Sequence, residues 1–73
     1  MFGRQPGKIV ELREVDIHGA RFYDVAYALN DSPQRVHVSR VGVESVYENP
    51  QTGDAVSLHL VMGQLTKVEK HEN

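Results

Sequence analysis

Four histidines, His18, His37, His59 and His71, are the side chains of this 73-residue chain whose ordinary titration falls near neutrality, so acid–base or metal chemistry is sought there first. A metal centre needs three or four ligands converging on one point, with hydrogen-bonding partners behind them. The sequence brings only two together. If the apolar runs flanking residues 49–54 pair as a hairpin, His59 faces Glu44 on one patch. This is the geometry of a surface cross-strand pair, and neither a metal nor a cofactor is expected. Nucleophilic catalysis needs an activated hydroxyl or amine beside an oriented base. Ser39, Ser45 and Ser57 instead fall in strand-like segments without a nucleophile-elbow signature, and Gly3 and Gly7 lack the spacing of a phosphate-binding loop. The chain is expected not to be an enzyme.

Recognition is the chemistry that remains. Eight Lys/Arg against ten Asp/Glu give a formal charge of −2, without the basic excess that phosphate neutralisation requires. Small barrels do hold single strands by stacking bases on rings in a positive groove. Here the run Arg35, His37 and Arg40 has no intervening acid, and Tyr23, Tyr27 or Tyr47 supplies a ring. A second set, Val36, Val38, Val46 and Val61 beside Arg40, is too apolar for a solvated face unless closure of a barrel buries it. The leading expectation is a non-enzymatic adaptor or regulatory module that contacts another protein through Val36, Val38, Arg40, Val46 and Val61, a homodimer being one form. The partner's identity is not written in the sequence. The alternative is an RNA- or ribosome-associated small barrel binding through Arg35, His37, Arg40 and a tyrosine.

These side chains need strands to position them. His18-Gly19 has the form of a two-residue hairpin loop joining a strand from residue 8 to about 17 with a second from 20 to 29. Pairing Ile17 with Ala20 then sets Asp16 opposite Arg21, Val15 opposite Phe22, Arg13 opposite Asp24, Leu12 opposite Val25 and Val10 opposite Tyr27. The apolar face of this hairpin changes near Glu14, as in a bent strand. Residues 30–34 are rich in turn formers. Beyond them, Pro50 and Gly53 predict a turn whose flanks pair Tyr47 with Val56, Val43 with Leu60 and Val41 with Met62. Another face change falls at Arg40, opposite Gly63. Residues 65–69 read as a fifth short strand, with a helical turn over 65–70 as the alternative.

The pattern predicts an all-β domain, a four- to five-stranded antiparallel meander forming an SH3-like small barrel or a strongly curled sheet. Residues 1–7 are expected to be a flexible lead-in, 8–69 the domain and 70–73 a frayed tail. The absence of cysteine argues against a disulfide-stapled secreted domain and for a cytoplasmic one. No apolar run has the length of a membrane span, so no membrane partner is expected.

Overall fold

A computed structural model describes residues 2–71, and its fold is all-β, as the alternation predicts. The strands are β1 (Phe2–Ile17), β2 (Ala20–Leu29), β3 (His37–Gly42), β4 (Ala55–Val61) and β5 (Gln64–Lys70), with one 3-10 turn (Val43–Ser45) after β3. They form a single antiparallel sheet in the order β3-β2-β1-β4-β5. Residues 65–69 are thus in a strand and not a helical turn. No helix among the described residues is long and apolar enough to cross a membrane.

The 16-residue β1 lies at the centre because it serves two neighbours. Its first half pairs with β4, from Phe2 opposite Val61 to Lys8 opposite Ala55. Its second half pairs with β2, from Gly7 opposite Leu29 to Ile17 opposite Ala20. Gly7 and Lys8 have partners on both sides. The next residue, Ile9, faces Tyr27 of β2, while its amide donates to the Asp54 carbonyl at 3.1 Å and its carbonyl accepts from the Gly53 amide at 2.8 Å. Residues 2–7, expected as a lead-in, are therefore structural. Their glycines and proline lower strand propensity, but pairing with β4 overrides it.

The first hairpin keeps its expected register from Leu12 opposite Val25 to Ile17 opposite Ala20. Its turn residues His18 and Gly19 have φ of 52° and 84°, the double positive φ of a type I′ turn. Tyr27, however, faces Ile9 and not Val10, because a β-bulge between Ile9 and Glu11 leaves Val10 unpaired. One extra residue inverts the alternation. Before the bulge Gly7 and Ile9 point inward, and after it Leu12 does. The bulge lies at Val10 and not near Glu14, where a change of face was expected and the pairing with β2 is regular.

The hairpin expected between β3 and β4 does not form. The turn at residues 49–54 exists, with Gly53 at φ 93° and the Asp54 amide donating to the Gln51 carbonyl, but its flanks go to different neighbours. The 3-10 turn redirects the chain, so that Val46 forms a parallel bridge with Val68 of β5 and the Tyr47 amide donates to the Val68 carbonyl at 3.2 Å. β4 pairs with β1 and β5 instead. No ladder joins β3 to β5, so the sheet curls without closing.

The curl encloses Ile9, Val25, Val56, Leu58 and Val68, all essentially without solvent contact, together with Tyr27, Val41 and Leu65. Each such aliphatic side chain contributes about 1.5–3 kcal/mol by leaving water. Leu12, Tyr23, Leu29, Val46, Tyr47 and Leu60 pack around them. At the C-terminus the His71 amide donates to the Ala55 carbonyl at 3.0 Å. The expected fraying thus does not reach residues 70 and 71; 72 and 73 lie outside the described residues.

Two substitutions test this layout. A Cβ on Gly7 would sit 2.5 Å from both the Ala28 carbonyl oxygen and Leu58 Cδ1, so Gly7→Ala must shift backbone. It is expected to lower stability by about 1–3 kcal/mol in urea denaturation. At the β4–β5 turn Met62 is held at φ 51° beside Gly63 at 80°. Asn is far better suited than Met to the first position of such a turn, so Met62→Asn is expected to raise stability by about 0.5–1 kcal/mol.

Candidate functional site

β3 is one end of the sheet, and three of the five expected partner-contact residues lie on or beside it. Val38 is 72% exposed on the outer face, across from Ala26 of β2, and Val36 is 54% exposed just before the strand. Arg40, also outward, grips Asp24 with two bonds, Nε to Oδ1 at 2.7 Å and Nη2 to Oδ2 at 3.1 Å. The structure divides the expected set. Val46 packs against the core at its bridge to Val68, and Val61 is at the far end of β4, two strands removed from β2 and three from β3. The β3–β4 register that placed Val46 and Val61 on one face does not exist.

Of Arg35, His37 and Arg40, the structure shows one charge already paired, that of Arg40. The Arg35 amide donates to the Ser32 carbonyl in the β2–β3 loop, and the Arg40 charge is committed to Asp24. His37 lies flat against Tyr27, ring centroids 5.3 Å apart and planes 24° from parallel. Tyr27 is otherwise buried, and burial raises its hydroxyl pKa. Tyr23 and Tyr47 also pack against the core. The imidazole of His37 is thus the ring that meets solvent here.

His59 has a partner, though not Glu44. Its Nε2 lies 2.6 Å from Glu69 Oε1 on β5, while Glu44 folds back over Gly42 in the 3-10 turn. A carboxylate can only accept, so the imidazole nitrogen carries the proton. Arg4 Nη1 stands 3.9 Å and Lys67 Nζ 3.7 Å from the same carboxylate. The His59 bond first, and then the charge of Lys67, hold the Glu69 carboxyl below its usual range. No group of three or more metal-ligating side chains occurs among the described residues. Beside Glu69 opens a cleft of about 430 Å³, lined by Arg4, Pro6, Ser57, Glu69, Lys70 and His71. Sequence reasoning missed this cluster because it left residues 1–7 out of the sheet and paired β4 with β3; the Met62-Gly63 turn signals the β4–β5 hairpin, and a register shift between His59 and Leu60 then sets His59 opposite Lys67.

No protein-family model matches the chain, and neither the curated proteins nor the solved structures give a match.

A third polar group ties the β3–β4 loop to the sheet. The Tyr47 hydroxyl donates to Asp54 Oδ2, which also accepts from the Gln51 amide at 3.1 Å. The Tyr47 bond is the main cause of a lowered Asp54 pKa. Burial first, and then Asp54, push the Tyr47 hydroxyl far above its ordinary value of 10. The bond needs an ionised acid and a neutral phenol. Its contribution is therefore present above the ordinary Asp value of 3.8, and is lost as pH falls through the lower folded value. On the alkaline side it is complete below the Tyr value of 10 and fades above it. Tyr47→Phe should be less stable than the parent near pH 7, with the gap narrowing as pH falls below about 3. Urea denaturation at both pH values measures it.

Proposed function

We propose that this domain is a non-enzymatic adaptor or regulatory module that works through protein–protein contact along the free edge of β3, and that the strand it accepts is β3 of a second copy. The observation that carries this reading is the contrast between the two edges of the sheet. A free edge presents unpaired N–H and C=O groups, and soluble proteins guard such edges with outward charges, proline or a covering segment. β5 is guarded in this way. Lys67 and Glu69 project from it, and its Val68 carbonyl is occupied by the Tyr47 amide. β3 has none of these devices. It contains no proline, its one outward charge is neutralised by Asp24, and its most exposed apolar side chain is Val38.

Strand addition supplies main-chain hydrogen bonds for affinity and alternate side chains for specificity. An antiparallel pair of identical strands is also self-complementary about a two-fold axis. With His37 on that axis, Val36 of one copy faces Val38 of the other, and period-two alternation keeps all four valines on one face. Each copy then covers the aliphatic surface the other exposes. A second copy therefore fits the edge without any further complementarity having to be supplied.

Sedimentation equilibrium of the full chain tests this. The parent is expected to be a concentration-dependent dimer, and Val38→Glu a monomer whose urea stability changes by no more than about 0.5 kcal/mol, as at an ordinary surface position. A parent that stays monomeric at millimolar concentration overturns the reading, and so does a Val38→Glu protein that dimerises as the parent does.

A further inference from the structure

The cleft beside Glu69 shares no residue with the β3 edge, and its lining has a chemistry of its own. Its basic residues come from two strands and the segment after them: the cations Arg4 from the first half of β1 and Lys70 from the end of β5, and the imidazole of His71 beyond it. Ser57 adds a hydroxyl from β4. Lys67 and His59 stand behind, on the far side of Glu69. Against these bases the cleft has one acid among the described residues, Glu69, whose charge is already shared by His59, Arg4 and Lys67. Asp54, the neighbouring acid that feels Lys70, is bound by Tyr47 and the Gln51 amide.

This charge is local. Over residues 11–54, which make up the rest of the molecule, eight acids stand against four bases, and Arg21 and Arg40 are already paired with Glu14 and Asp24. The whole chain is acidic by two charges. A long polyanion laid across the molecule therefore meets acidic surface on leaving the cleft, whereas a compact anion does not. The cleft volume of about 430 Å³ is also that of a small-molecule site, which commonly spans about 300–1,000 Å³.

From this cavity and its ring of bases we propose that the β1–β4–β5 face binds a compact phosphorylated small molecule, its phosphate received by Arg4, Lys70, His71 and the Ser57 hydroxyl. Arg4 supplies the planar fork that fits a phosphate with two parallel bonds, and Lys70 acts as a point charge. Glu69 competes with the phosphate for Arg4. At 3.9 Å it pairs loosely with the guanidinium beside the cleft, and gives it up when a stronger acceptor arrives.

The test is NMR titration of the full-length protein at constant ionic strength with three probes: inorganic phosphate, adenosine monophosphate and a single-stranded thymidine oligomer. The expected result is saturable amide shifts for either small probe, confined to Arg4, Ser57, Glu69, Lys70 and His71. Arg4→Gln should weaken binding about tenfold, the value of one lost charge-assisted contact, while Arg35→Gln leaves it unchanged. Glu69→Gln should tighten it, because the competing charge is gone; a carboxylate with a purely structural role gives no such gain. Shifts that fail to saturate, or that Arg35→Gln reduces as much as Arg4→Gln does, overturn the proposal. Binding of the oligomer alone, strengthening with its length, also overturns it and assigns the face to nucleic acid. The readout does not depend on whether the chain dimerises through β3, and the Val38→Glu protein should give the same titration.

Discussion

The structure depends on the double pairing of β1 where it passes from one hairpin to the other. Over Gly7 and Lys8 the strand is hydrogen-bonded to β2 and β4 at once, and over Ile9 to β2 and to the Gly53-Asp54 backbone. At this pivot the interior has no room for a side chain on β1. Gly7, which carries none, fits between the Ala28 carbonyl and Leu58. Just beyond it, the bulge at Val10 inverts the strand so that Ile9 before it and Leu12 after it face the same interior. Without the bulge, Leu12 would lie on the face opposite Ile9. The curl of the sheet follows from this, and so does the placement of the anionic-ligand cleft on one half and the free edge on the other.

Short-range features were legible in the sequence and long-range pairing was not. The His18-Gly19 turn fixed the first hairpin residue by residue out to Leu12, because a two-residue loop sets the register of both its strands. The reading failed at Val10, where nothing in Ile9-Val10-Glu11 distinguishes a bulge from continued alternation. The turn at residues 49–54 was also recognised, yet its strands found other partners. Period-two alternation is shared by every half-buried strand, so it says which residues face inward but not against which neighbour. The N-terminal segment was discounted for Gly3, Pro6 and Gly7. Pro6 is tolerated because β2 begins to pair only at Gly7, which leaves β1 without a strand on that flank at Pro6. Its carbonyl still accepts from the Asn30 amide.

The same omission hid the His59 cluster. Glu69 and Lys67 are four and two residues past Leu65, within a strand the sequence did suggest, but Arg4 reaches them only through the β1–β4 ladder. With residues 1–7 outside the fold and β4 paired to β3, His59 had only Glu44 for company. Electrostatic constellations in small sheets are assembled across neighbouring strands. A missing strand therefore removes chemistry as well as area.

The division of the valines shows how closure and exposure are linked. Val46 lies after the 3-10 turn, where the chain has already left β3 and crossed to β5, and its bridge to Val68 is the point at which the curled sheet is pinned. That crossing occupies the edge of β5 and no part of the β3 ladder. Val36 and Val38 precede the turn, on the side that the crossing leaves uncovered. Had the chain continued straight from β3, its later residues would have extended the edge and left β5 unpinned. Val46 is therefore half-buried, and Val36 and Val38 exposed, for one reason: the turn at Val43–Ser45 gives the chain's bridge with β5 to the segment behind it and leaves β3 without a ladder on its outer side.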